Sequence, residues 1–225
     1  MTRKHLSGWG IALAMLAAGP SHATLVSYFL DQTNIDGGDF LDGTDYLRVD
    51  IDDGSGDIEF TVTVLGSLTP YTGGIDSFGF NLIGPEVAGF TEGSISVSSI
   101  SVDAGATTEW AVNTPPPPNN EDGFGLFDVV VYTNGDGERA ANTLSFTVSG
   151  LATDTVLNYF ELALKNNGTA PDQGSYAFVA HVGGFENASA GSGYFGGSTV
   201  VPLPAAAWLL LSSLGALTVF RRRRR

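Results

Sequence analysis

Nine aspartates lie between residues 31 and 57: Asp31, Asp36, Asp39, Asp42, Asp45, Asp50, Asp52, Asp53 and Asp57. Carboxylates crowded into glycine-bearing loops repel one another unless water or a hard cation screens them, and calcium accepts about six to eight oxygen ligands from such loops. Asp36, Asp39, Asp50, Asp52, Asp53 and Asp57 are the candidate Ca²⁺ ligands. A solvated acidic surface is the alternative, because counting from Asp50 places Ser55 and Thr61 where an EF-hand loop needs Gly and Glu. Histidine chemistry is scarcer. His5 and His22 lie in the N-terminal leader described below, which leaves His181 alone. A two-histidine metal site cannot form, and Ser-His-Asp hydrolysis would have to use His181 without any G-x-S-x-G elbow. In Phe178-Val179-Ala180-His181-Val182 the alternation puts His181 on the face of Val179, as a packed or rim histidine. The absence of cysteine excludes disulfides, metal thiolates and a cysteine nucleophile. Paired carboxylates also serve glycoside hydrolysis, but no pair of defined separation can be read from the sequence. Tyr71, Trp110, Tyr132 and Tyr194 are aromatic enough to stack on sugar rings and equally suited to a β core.

The elements that must position these groups are strands. Residues 24–182 alternate short β-rich runs with turn residues and contain no long amphipathic helical pattern, so the fold class is all-β, a single β-sandwich. The clearest unit is DYLRVDIDDGSGDIEFTVTVL, in which Leu47, Val49 and Ile51 alternate with polar residues, Asp53-Gly54-Ser55-Gly56 reverses the chain, and Ile58, Phe60, Val62 and Val64 alternate back. Further strands are expected at 25–30, 75–83, 95–102, 107–112, 124–132, 142–148, 156–164, 175–182 and 194–200. Asn113 to Gly123, with Pro115 to Pro118, reads as a surface loop. Residues 183–200 read as a Gly/Ser-rich stalk with a last strand.

The two ends carry the opposite charge to the body. From residue 24 to 220 there are three basic residues, Arg48, Arg139 and Lys165, against 24 acidic ones, a balance of −21. At the N-terminus, Arg3 and Lys4 precede an apolar run from Leu6 to Ala18, then Gly19-Pro20 and Ser21-His22-Ala23, a small-x-small cleavage pattern. Residues 1–23 are therefore expected to be a secretory signal peptide cut after Ala23. At the C-terminus, Ala205 to Phe220 carries no charge and would measure about 24 Å as a helix, with Leu203 and Pro204 extending it. Arg221, Arg222, Arg223, Arg224 and Arg225 follow and would stay cytoplasmic by the positive-inside rule. That reading leaves the arginines no role in nucleic-acid binding.

Val201-Pro202-Leu203-Pro204-Ala205 precedes this segment as a proline-stiffened strip unable to join a helix interior. Proline motif, apolar segment and arginine cluster, in that order, resemble the PEP-CTERM sorting signals of exosortase substrates, here in a VPLPA-type variant of the commoner Pro-Glu-Pro. The resemblance covers residues 201–225. It implies an exosortase-like transpeptidase as partner, an inner-membrane intermediate held through residues 203–220, and a Gram-negative host whose cell surface, biofilm or exopolysaccharide matrix receives the body. The strand phrases of the body are similar to uncharacterised cohesin-like or carbohydrate-binding-like ectodomains that carry such tails. The expected function is an exported surface or matrix protein of structural or adhesive type, not an enzyme. The alternatives are a calcium-dependent carbohydrate-binding module and a glycan-acting hydrolase.

Overall fold

The computed structural model describes residues 24–36, 38–54, 56–82, 95–103, 110–114, 119–133, 141–150, 154–163, 174–197 and 199–201. The expected signal peptide, the segment from Pro202 to Arg225, the Pro115 to Pro118 run and the Asn134 to Gly137 turn lie outside them. Within them the chain forms strands β1 (Leu25–Leu30), β2 (Gln32–Thr33), β3 (Leu47–Asp52), β4 (Ile58–Val64), β5 (Gly74–Phe80), β6 (Ser96–Val102) and β7 (Trp110–Asn113). They are followed by β8 (Asn119–Glu121), β9 (Gly125–Phe127), β10 (Val129–Thr133), β11 (Thr143–Ser149), β12 (Phe178–Gly183), β13 (Ser192–Gly197) and β14 (Thr199–Val201).

All pairings between these strands are antiparallel, in two six-stranded sheets and one small hairpin. The first sheet runs β14-β1-β3-β4-β11-β6 and the second runs β2-β13-β12-β5-β10-β7, while β8 and β9 pair only with each other. No α-helix occurs among the described residues, and no helix there is long and apolar enough to cross a membrane.

Period-two alternation decides which face of each sheet is apolar. In the first sheet Leu47, Val49, Ile51, Ile58, Phe60, Val62, Leu144, Phe146 and Val148 are buried, and the strand residues alternating with them are not. In the second, Phe78, Phe80, Val129, Val131, Phe178, Ala180 and Val182 belong to the same core as those of the first. Aromatic rings join the two faces. Phe60 of β4 lies 4.9 Å from Phe80 of β5 and 5.0 Å from Phe146 of β11, and Tyr28 of β1 lies 4.7 Å from Phe178 of β12. Fully buried phenylalanines of this kind are the largest single contributors to such a core.

The second sheet is apolar on its outer face as well. Val130 and Val179 point away from the main core and form a separate cluster with Phe124, Phe127 and Ala163. The β8–β9 hairpin covers that face, and glycine makes the close approach feasible. A Cβ on Gly196 would stand 2.4 Å from the Phe124 ring, and one on Gly79 3.2 Å from that of Phe127.

Several expectations about elements need correction. Residues 156–164 do not form a strand: Val156–Tyr159 is a 3-10 turn closed by a Thr155–Asn158 capping box, with Val156 and Tyr159 buried three residues apart. The loop expected at 113–123 contains β8, whose partner is β9. The expected stalk is also part of the fold, because β13 lies inside the second sheet between β2 and β12. Three of its glycines are crowded by neighbours, Gly193 by Ile35, Gly196 by Phe124 and Gly197 by the Phe29 backbone.

Candidate functional site

On the outer face of the second sheet the chemistry-bearing side chains converge at one end of the covering hairpin. His181 follows Val179 by two residues on β12 and therefore shares its outward face. Directly opposite on β5 the register slips: His181 pairs with Ser77 but Val182 pairs with Ile75, which leaves Asp76 as the extra residue of a β-bulge. The bulge re-aims Asp76 at the histidine. His181 Nδ1 donates to Asp76 Oδ1 at 2.6 Å, with the two side chains 24% and 12% exposed. With a carboxylate as acceptor the proton of this bond is on Nδ1.

Tyr194, the partner of His181 across β12 and β13, lays its ring over the imidazole, with centroids 4.4 Å apart and planes at 38°. Glu121, at the end of β8, is only 7% exposed and lies within electrostatic reach of His181 and Asp76. Burial pushes the Glu121 carboxyl up to about 7; Asp76 raises it further and His181 opposes the rise. Burial also raises the Tyr194 hydroxyl, reinforced by the charges of Glu121, Asp76 and Asp122. Asn34, just after β2, ties the arrangement together. Its Oδ1 accepts from the Tyr194 amide at 2.8 Å and its Nδ2 donates to the Asp122 carbonyl at 3.2 Å.

His181, Tyr194 and Asn34 line a pocket of about 270 Å³, with Asp36, Asp122 and Ser192 at its polar sides. Its field is negative, and the imidazole paired with Asp76 is its one basic group among the described residues. Ser192 makes no hydrogen bond to His181, so nothing described here activates its hydroxyl as a nucleophile.

The six aspartates proposed as calcium ligands are divided between two places. Asp36 lines the pocket, and Asp39 accepts from the Ser189 amide at 2.7 Å in the same region. Hydrogen bonding from the Ser189 side chain, and then from its amide, lowers the Asp39 carboxyl below its ordinary value. The other four belong to the β3–β4 hairpin. Asp50 holds Ser27 at 2.5 Å and Arg48 at 2.9 Å, Asp52 accepts from the Gly54 amide at 2.8 Å, and Asp53 accepts from the Thr24 amide at 2.5 Å. Asp57 lies near Asp154, whose carboxyl is raised first by burial. Among the described residues no group of three or more His, Asp or Glu side chains is gathered as a metal ion requires. Of the aromatics, Trp110 is buried in the main core and Tyr71 packs against it, whereas Tyr132 and Tyr194 flank the outer cluster.

Sequence reasoning located His181 and its face but missed Asp76, Glu121, Asp122 and Asn34. Tyr194 and Asp36, singled out for other chemistry, also line this pocket. Compared with protein-family models, with curated proteins and with solved structures, the chain matches none.

Proposed function

We propose that the protein is an exported surface or extracellular-matrix protein of structural or adhesive type. Its body is a single β-sandwich carried between a cleaved signal peptide and a removable C-terminal sorting signal read by an exosortase-like transpeptidase. The observation that carries this reading is the pairing of β1 with β14. Ser27 stands opposite Val201 in antiparallel register, so the last strand ends one residue before Pro202, beside the start of the first. The folded body thus begins one residue after Ala23 and reaches the proline motif with no intervening linker. Asp53 adds support: it accepts from Thr24 N, the nitrogen that cleavage after Ala23 converts to an ammonium and so to a stronger donor.

Intact-mass measurement and fractionation of the protein from an exosortase-bearing host test the reading. The expected product starts at Thr24, lacks the residues after the proline motif and leaves the inner membrane. The Pro202→Ala/Pro204→Ala double variant should be exported yet keep its tail, and normal release of that variant would refute sorting at this motif.

The half-exposed rings of Tyr194 and His181, forming one wall of a polar pocket, favour a second reading, a carbohydrate-binding module. Binding of any oligosaccharide, lost in Tyr194→Ser, tests it.

A further inference from the structure

We infer that β6, the free edge of the first sheet, pairs antiparallel with β6 of a second copy of this chain about a two-fold axis, joining the two first sheets into one. The inference concerns the body alone and rests neither on the sorting signal nor on a glycan ligand. The two sides of the body are finished differently. On one side the chain passes between the sheets, from β1 into β2 and from β13 into β14, and these segments pair with one another. The opposite side ends in β6 of the first sheet and β7 of the second, and neither has a further partner among the described residues. Edge strands are ordinarily blunted by brevity, proline or charge. β2 has two residues, β14 has three with Pro202 directly after it, and β7 has four with Pro115 close behind. β6 has seven, and from Ile95 to Val102 there is neither a charge nor a proline.

Exposure on the core side is a second reason. Ile95, Val97, Ile100 and Val102 pack against the core but are only partly buried, whereas Leu144 and Val148 on the adjoining β11 are fully buried. The core is thus left open along β6, and a strand laid on this edge covers it.

The pattern of β6 fits a copy of itself. Ser101 pairs with Ser145 and Ser98 with Thr147, so Ser99 and Ile100 stand opposite Phe146 alone, and Ser99 takes the positive φ of 54° of a β-bulge. The bulge resets the alternation, and Ile95 and Val97 before it face the core as Ile100 and Val102 do after it. Two such strands match when Ile95 meets the partner's Val102, Ser96 the partner's Ser101 and Val97 the partner's Ile100. Apolar residues then oppose apolar ones on the core side and serines oppose serines outside. The two bulges meet at the axis, where each strand bends with the other. Charge agrees with this choice: at a balance of −21 two bodies repel over most of their surfaces, and an edge without charge is where they can approach. Two short edges make a small contact, which places the pairing in the micromolar range.

Sedimentation equilibrium of the full chain in detergent, combined with cysteine trapping, tests the proposal. The chain should pass from monomer to dimer between about 1 and 100 µM, and more readily as salt screens the two acidic bodies. Because the chain has no cysteine, a mixture of Ser96→Cys and Ser101→Cys chains should oxidise to a disulfide-linked dimer. Facing residues of an antiparallel pair bring their Cα atoms within about 4.5–5.5 Å, inside the reach of a disulfide. Either variant alone should cross-link at least about tenfold less, since identical positions then lie about 17 Å apart along the strands. Ser96→Lys/Ser101→Lys should weaken the dimer about tenfold at unchanged circular dichroism although it reduces the net negative charge, and Ser96→Lys/Ser101→Asp should restore it. A chain that stays monomeric at every concentration would overturn the proposal and leave the edge to a strand of some other protein. Dimers that trap equally from either single variant, or that are unaffected by Ser96→Lys/Ser101→Lys, would place the contact elsewhere and overturn it as well.

Discussion

Replacing Glu121 by Gln should stabilise the protein, and the gain should grow with pH. The Glu121 carboxyl titrates near 7 in the folded chain against an ordinary 4.5. Between those values the folded state binds more protons than the unfolded state, so the slope of unfolding free energy with pH is negative there. The cost of ionising the buried group is absent below the unfolded value, builds through the window and is complete above the folded value. Integrated over the two titrations it is about 1 kcal/mol at about pH 5.5 and about 3 kcal/mol at about pH 8.5, so the variant should gain about 2 kcal/mol on the wild type between them. For a body of this size that is a relative rise in Tm of roughly 4–8 °C. Paired thermal melts of wild type and variant at the two pH values measure the difference. Melting curves that keep a constant offset across the window would refute the reasoning, because they would place the Glu121 carboxylate in water and not behind the His181–Asp76 pair.

Phe60→Ala should destabilise the body by about 3–5 kcal/mol, since the ring is fully buried against Phe78, Phe80, Phe146, Tyr159 and Phe178 in both sheets; denaturant unfolding reads this directly. Gly196→Ala should lose about 1–3 kcal/mol by driving a Cβ into the Phe124 ring and should loosen the β8–β9 hairpin, seen as faster amide exchange at residues 119–127 with the first sheet unchanged. Millimolar calcium or excess EDTA should move the melting temperature by less than about 1 °C, because Asp50, Asp52 and Asp53 already serve Ser27, Arg48, Gly54 and Thr24 and stand apart from Asp36 and Asp39. A rise of several degrees on adding calcium would show a site the described residues do not hold.

The elements legible in the sequence are those with one buried face and a strong reversal. The β3–β4 hairpin alternates from Leu47 to Asp52 and from Ile58 to Val62, and its register runs from Leu47 opposite Val64 to Asp52 opposite Glu59. The lone strand expected at 124–132 is two strands because Asp128 leaves the ladder. Its amide donates to Asn81 Oδ1 at 2.8 Å and its Oδ2 accepts from the Leu82 amide at 3.1 Å, a lock between residues 46 and 47 positions apart that no local pattern reveals. The short apolar run at 156–159 has the composition of a strand, and its three-residue burial spacing together with the Thr155 cap decides for a 3-10 turn. The pocket was hidden for the same reason as the Asp128 lock. Asp76 and His181 are 105 residues apart and meet through a bulge, and Glu121 lies in a segment whose prolines and asparagines read as loop. Local periodicity reports which face a residue occupies. It does not report which strand will lie opposite.

The terminal segments place a limit on where a tail can be removed. Residues 25–33 run from the first sheet into the second as β1 and β2, and residues 192–201 run back alongside them as β13 and β14. The pairings Thr33 with Phe195, Gln32 with Gly196, Phe29 with Thr199 and Ser27 with Val201 make one two-stranded ribbon that crosses between the sheets. Its second-sheet half carries Tyr194 and, through Asn34, the hairpin over the outer face. A cut upstream of Thr199 would strip β14 and leave the backbone of β1 as an open edge, the kind of template that invites pairing with another chain. A cut within or after Pro202-Leu203-Pro204 leaves every ribbon pairing in place, and proline offers no amide to extend the ladder further. The proline motif therefore lies at the first position where removal of the tail costs the body none of its described strand pairings. On the proposed reading, that is why the sorting motif follows the last strand directly.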